Sequence, residues 1–284
     1  MTLANGEGIR WPDGKRIAVM VTFDFDAELL RQSVIGSRNI GFSDTSRGQY
    51  GVDTGLPRIL DMLRRQQLQT TFFVPGRILE LYPEAVKSIV ADGHELACHG
   101  YDHDNTVGIP KEREIANLEK SELLLETFTG CKPVGYRGPL DVLQEYSTDL
   151  LAGKGYLYDS TLKDCDWPYI LPGGLVELPV DVTQDDFSYF YFSYADNADI
   201  NCSYLPDDVR EMWQDAYDEL AAEGDKVFVL KLHPQLMGRY SRLRMLEQFI
   251  LYMRQSGAWL ATCADVAAYV KQWYTENGKG GEVR

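Results

Sequence analysis

Apolar runs and amphipathic stretches alternate along this chain almost from end to end. "RIAVMVTFDFDA" is a continuous apolar run rich in β-formers, the pattern of a strand buried on both faces. Beyond it, "LPRILDMLRRQQ" places Leu56, Ile59, Leu60 and Leu63 at helical spacing, and "TTFFVPG" reads as a strand stopped by Pro75 and Gly76. "EAVKSIVADG" predicts a helix that ends at Gly93, "HELACHG" a strand, "KEREIANLEKSELLLETFTG" a long helix and "PVGYRGP" a short strand. "TDLLAGKG" continues as a helix, followed by "YLYDST" and "LVELPVDV" as strands. In the last third, Asp207 or Asp208 is the expected cap of a helix whose Val209, Trp213, Tyr217 and Leu220 share one face. "KVFVLKLH" is another buried strand. Leu243, Leu246, Phe249, Ile250 and Met253 mark a further helix, and after "AWLATC" a closing helix carries Val266, Tyr269 and Val270. Two stretches break the rhythm and predict long loops, residues 31–53, rich in Gly and Ser, and residues 183–206, rich in aromatics.

Repeated strand–helix alternation predicts a parallel sheet or barrel with its helices outside. In such folds the chemistry collects at the C-terminal ends of the strands. Asp24 and Asp26 end the first predicted strand, His99 and His103 the third, Arg137 the fourth and Asp159 the fifth, while His233 follows "VFVLKL". Alternation turns Asp24 and Asp26 to one face, away from Phe23 and Phe25, where two carboxylates are costly unless something positive meets them. Each residue alone has a plainer reading: a loop-capping aspartate, an ordinary ion-pair arginine, a packed histidine before Pro234. Their joint placement on one rim points to a single site.

Three of the four histidines crowd into "HELACHGYDH". A helical zinc-protease motif is excluded, because three residues, not two, separate Glu95 from His99. His99 and His103, four apart, are the better pair, and they become a metal site if a carboxylate joins them. His94, after a helix-ending glycine and without a partner at useful spacing, is expected to be structural.

A length of 284 residues suits one α/β barrel domain. The net charge of −15 disfavours nucleic acid and anionic membranes as partners, since phosphate binding needs concentrated positive charge. Five cysteines without paired spacing predict free thiols rather than disulfides or a cysteine–zinc site. No stretch is long and apolar enough to span a membrane and the start lacks the apolar core of a secretory signal, so a cytoplasmic location is expected.

Taken in order, "TFDFDAE", "HGYDH", "RGPL", "LYDST" and "KLHP" resemble the successive motifs of the polysaccharide deacetylase superfamily, also called the NodB-homology or carbohydrate esterase family 4 group. The resemblance runs over about residues 16 to 271, and the ordered set is specific although no single motif is. "GQYGVDTGLPRILDMLRRQQLQTTFFVPG" looks closest to the cytoplasmic branch that holds cyclic imidases, allantoinase-like proteins and peptidoglycan-deacetylase homologues. The resemblance implies a distorted (β/α)7 barrel, one catalytic domain over residues 1–284, and metal-dependent hydrolysis of non-peptide carbon–nitrogen bonds. It implies Asp24 as catalytic base, Arg137 as the residue that orients it, and His233 as general acid. It also implies Asp26, His99 and His103 as ligands of a divalent metal, which this donor set makes zinc. Substrate contacts are expected from Pro139, Asp159 and Phe187.

Departures from the family pattern bear on the substrate. Phe25 separates the two aspartates, Cys98 precedes the first ligand histidine, and Leu140 stands where sugar deacetylases usually carry an aromatic residue. The expected substrate is a small cyclic imide or related cyclic amide, with N-acetylated amino sugars or peptidoglycan and chitin fragments as the alternative. Phe187, Tyr189, Phe190, Tyr191, Phe192 and Tyr194 suit either a planar ring or a subunit interface, and a homo-oligomer is expected. A ligand-binding member without activity and a metal-free catalyst are the competing classes. Retention of every matched position argues against both.

Overall fold

A computed structural model describes residues 8–191 and 204–277, and in it the apolar runs become strands of one curled sheet. The strands are β1 (Ile17–Asp24), β2 (Thr71–Val74), β3 (Glu95–Cys98), β4 (Gly135–Tyr136), β5 (Tyr158–Asp159), β6 (Tyr169–Ile170), β7 (Val176–Glu177), β8 (Lys226–Leu232) and β9 (Trp259–Leu260). Their spatial order is β6-β7-β5-β4-β3-β2-β1-β8, with β9 also on β1. From β8 through β1 to β5 and β7 every neighbouring pair is parallel, and only β6 runs antiparallel, against β7. Between β7 and β8 the regular ladder gives way. A single bridge joins Asp185 to Lys231, and the Gln184 side-chain oxygen accepts the Val229 N–H at 3.1 Å. This irregular seam is the distortion in a (β/α)7 barrel.

The two-residue period of the strands sorts their side chains into two cores. Phe228, Leu230 and Leu232 of β8 join Val19, Val21 and Phe23 of β1 beneath the outer helices. Val227 and Val229 instead face Ala18, Met20, Phe73 and Ala97 inside the barrel. Each fully buried Phe, Leu or Val side chain contributes about 1.5–3 kcal/mol. Toward the C-terminal rim the inward series turns polar: Thr22 and Asp24 follow Met20, and Lys231 and His233 follow Val229. At the other end, the helix Cys263–Glu276 supplies Cys263, Val266, Ala267, Val270 and Tyr274, which join Ile9 and Trp11 in the interior cluster and plug the barrel.

Residues 31–53 are not a loop. They hold most of the helix Glu28–Val34, then the helix Phe42–Tyr50 and a widened turn, Gly51–Gly55, which runs directly into the helix Leu56–Gln66. The glycines there serve close packing: a Cβ on Gly48 would sit 2.3 Å from the Glu28 nitrogen, and one on Gly55 2.2 Å from the Pro234 carbonyl oxygen. Composition alone reads such glycines as turn residues. The helix Pro206–Glu223 starts earlier than expected, with Leu205 rather than Asp207 or Asp208 at its cap and Pro206 first. Asp207 and Asp208 therefore lie in the first turn, where they face the positive end of the helix rather than capping it. In the aromatic stretch, Phe187–Phe190 is a short helix, while Phe192 and Tyr194 lie outside the described residues. Cys98, Cys131, Cys165 and Cys263 are free thiols, and Cys202 is also outside the described residues. Among the described residues, no helix is long and apolar enough to cross a membrane.

Candidate active site

The rim residues converge where the backbone is most strained. Among the described residues, seven non-glycine residues have left-handed φ, and four of these border this site: Ala27 (φ 48°), His103 (56°), Leu140 (57°) and Asp141 (56°). Such conformations cost on the order of 1–3 kcal/mol each and persist only where the surroundings enforce them. Ala27 follows Asp26 directly, so the chain turns sharply as soon as that carboxylate is in place.

Asp26 is wholly buried, and neither of its carboxylate oxygens meets a hydrogen-bond donor among the described residues. His103 Nε2 lies 3.5 Å from Asp26 Oδ2, and His99 Nε2 lies 3.7 Å from Asp26 Oδ1. The Nδ1 of His99 is 2.8 Å from the Arg137 carbonyl oxygen, so Nδ1 carries the hydrogen and Nε2 turns a lone pair toward Asp26. Burial lowers the pKa of both imidazoles, that of His103 well below its ordinary value, and keeps both as neutral donors. Burial also pushes the Asp26 carboxyl up to about 8, opposed by His233 and aided by the Asp24 charge. A carboxylate with no donor in such a place is destabilising unless a cation meets it. One carboxylate and two neutral imidazoles are the donors of an open zinc site, so these residues fit a divalent metal.

Arg137, with no exposed surface, locks the neighbouring carboxylate. Its Nη1 donates to Asp24 Oδ1 and to the Thr22 hydroxyl, each at 2.8 Å, while Nε and Nη2 donate to the Ser160 carbonyl and hydroxyl at 3.0 Å. The guanidinium also lies 3.9 Å over the Phe73 ring. Burial, the largest single influence, works to raise the Asp24 pKa, but the Arg137 charge, joined by His99, His233 and Lys231, outweighs it and holds this carboxyl well below the usual range. Asp24 is thus ionised, with Oδ2 3.9 Å from His99 Nε2.

His233 is fixed by Asp186 in two ways: Nδ1 is 2.7 Å from Oδ1, and the backbone N–H donates to Oδ2 at 2.8 Å. Burial opposes the imidazolium, yet the Asp186 and Asp185 carboxylates push its pKa up to about 10. Its Nε2 lies 3.7 Å from Asp26 Oδ2, beside the same triad. Asp24, His99, His103 and His233 share a cavity of about 190 Å³ with Leu30, Val34, Leu140, Asp141, Asp185, Phe187 and Lys231.

Two expected substrate contacts do not line this cavity. The Asp159 carboxylate is taken up by the Thr161 hydroxyl at 2.8 Å and the Thr161 N–H at 3.1 Å, and it couples to buried Glu177. Thr161 in turn accepts the Gly138 N–H at 2.8 Å, so Asp159 supports the loop that carries Arg137. Pro139 packs against Gly100 instead. Phe187 does line the cavity, stacked on Tyr191 with ring centroids 4.3 Å apart. Tyr189 and Phe190 belong to the core beneath the helices. His94 lies away from the site, where it accepts the Thr70 N–H at 3.2 Å and packs on Phe72.

Lys231, Asp141, Asp185 and Asp186 were not anticipated. Lys231 had a readable signal, a charge in the inward phase of an apolar strand two residues before His233. The three aspartates reach the site only through loop paths that local pattern does not encode.

A family model described as polysaccharide deacetylase matches residues 40–158. The peptidoglycan deacetylase of Helicobacter pylori is 30% identical over 240 residues, which span 75% of this chain and 82% of that protein. A putative polysaccharide deacetylase from Mycobacterium smegmatis superposes with a TM-score of 0.86 at 36% identity, over 93% of both chains. Puue allantoinase superposes with a TM-score of 0.82 at 23% identity over 97% of both chains, a likeness of fold.

Proposed function

Because the chain belongs to the polysaccharide deacetylase family of hydrolases acting on non-peptide carbon–nitrogen bonds, we propose that it opens small cyclic imides or related cyclic amides. The observation that carries this reading is the size and lining of the cavity. At about 190 Å³ it falls below the roughly 300–1,000 Å³ usual for drug-sized ligands. Leu30, Val34, Leu140 and Phe187 give it apolar walls against a polar floor. Leu140 offers no aromatic face on which a sugar could stack.

Asp26, His99 and His103 would hold zinc, whose chemistry here is Lewis-acid polarisation of the scissile carbonyl. Asp24, kept ionised by Arg137, takes a proton from the attacking water. The hydroxyl oxygen joins the carbonyl carbon, the carbon–nitrogen bond breaks, and its electron pair leaves with the nitrogen. His233, aimed by its two contacts with Asp186, delivers a proton to that nitrogen. The apolar walls keep other water from the reacting atoms.

A second reading is de-N-acetylation of N-acetylated amino sugars, favoured by the name of the H. pylori relative. The test compares kcat/KM for succinimide and for N-acetylglucosamine oligomers on one zinc-loaded preparation. Ring opening at least tenfold more efficient than acetate release is the expected result. Efficient acetate release without ring opening would establish the second reading instead.

A further inference from the structure

The proton transfers above leave a buried ion cluster at the same cavity without a task. Lys231 is nearly as buried as the core around it, with a side chain 6% exposed. Its ammonium contacts Asp141 on the loop after β4 and Asp185 Oδ2 at 2.7 Å beside the irregular seam. In the sheet β1, β2 and β3 separate β8 from β4, so the Lys231–Asp141 contact is a strut across the barrel mouth. It holds two successive left-handed residues, Leu140 and Asp141, and the Asp141 carbonyl is held again by Lys163 Nζ at 3.0 Å. A buried ammonium is a poor way to gain stability where an apolar side chain would pack.

Position and chemistry give it a task. Lys231 on β8 and His233 in extended backbone just beyond its end are two residues apart, so both project to the cavity side. An ammonium has three hydrogens, and two carboxylates leave one for a ligand. When an imide ring opens, the electron pair left on nitrogen is delocalised onto the second carbonyl oxygen until the proton from His233 arrives. A donor beside His233 meets that oxygen. An N-acetylated sugar has no second carbonyl on its nitrogen.

We propose that Lys231, held between Asp141 and Asp185, is the specificity-determining residue of the site and donates to the second carbonyl oxygen of a cyclic imide. This rests on the imide reading above. The substrate class follows from the chemistry: five- or six-membered rings with two carbonyls flanking one nitrogen.

The experiment measures kcat and KM of zinc-loaded wild type, Lys231→Met, Lys231→Arg and Asp141→Asn on succinimide and on trifluoroacetamide, an activated amide with one carbonyl. Zinc content and Tm of each variant accompany the kinetics. Lys231→Met is expected to lower kcat/KM for succinimide about a hundredfold, mainly in kcat, the usual loss for one donor aimed at developing charge. Trifluoroacetamide is expected to change less than about threefold, Lys231→Arg to recover part of the loss, and Asp141→Asn to show the same selectivity with a smaller effect. Equal losses on both substrates in Lys231→Met and Asp141→Asn overturn the inference while the imide reading stands. If Lys231→Met does not fold, Asp141→Asn alone decides between these outcomes. Wild type that opens no imide but releases acetate from N-acetylglucosamine oligomers overturns both.

Discussion

Replacing Arg137 with Met tests the electrostatic core of the site. The substitution keeps a long apolar stem over Phe73 but deletes four donated hydrogen bonds, and it leaves Asp24 buried without its counter-charge. Breaking a buried pair by removing one partner costs about 3–5 kcal/mol. At roughly 2–4 °C per kcal/mol for a chain of this size, Tm should fall by about 6–20 °C. The double variant Arg137→Met/Asp24→Asn removes the stranded charge as well, and should recover at least half of that loss. Both variants and wild type are melted at pH 7 in a chelating buffer, followed by circular dichroism, so that metal binding does not enter the comparison. The pH dependence has a definite sign. Asp24 is held below its ordinary value, so the pair's contribution is present above the unfolded aspartate pKa and is lost as pH falls through the depressed folded value. In Arg137→Met burial is opposed only by His99, His233 and Lys231, so this slope should flatten. A single variant that loses under about 1 kcal/mol, or a double variant no more stable than the single one, would refute the reasoning.

Two further expectations concern metal and pH. Zinc at a hundred times its Kd should stabilise the wild type by about 2.7 kcal/mol, whereas Asp26→Asn and His99→Ala should show neither this gain nor bound zinc by elemental analysis. Full occupancy in either variant would remove that residue from the ligand set. Burial pushes the Asp159 carboxyl up to about 6 and the coupled Glu177 well above its usual value, so stability present at acid pH is lost as pH rises through 6. Glu177→Gln supplies a permanent donor to Asp159 and should flatten the Tm profile between about pH 5 and 8; profiles that stay parallel would show that the pair does not share a proton.

The strand–helix order was legible because burial on both faces leaves an unbroken apolar run, as in β1, and an amphipathic helix leaves a spaced one, as in Leu56–Gln66. The rim residues were legible for a related reason: Asp24 and His233 interrupt inward-facing apolar series at strand ends. What escaped depends on contacts between distant segments. Gly48 is a glycine because Glu28 presses on it, which no local pattern reveals. Asp159 ends a strand as predicted, yet Thr161 and Glu177 claim its carboxylate, so a place at the rim did not amount to a place in the cavity. Asp186 was hidden because its importance lies entirely in His233, which is 47 positions away.

The pairing of β1 with β8 has a consequence for how the molecule comes into being. Ile17 aligns with Lys226 and Phe23 with Leu232, so β1 waits about 200 residues for β8 to be made before that edge is covered. Pairings of such separation fold slowly, and an apolar edge left open meanwhile invites association with other nascent chains. Lys231 arrives on that late strand and His233 directly after it. A chain halted before β8 already contains Asp24, Asp26, His99, His103 and Arg137, yet it has no closed barrel to bring them to bear, so catalytic competence waits for β8 to be made.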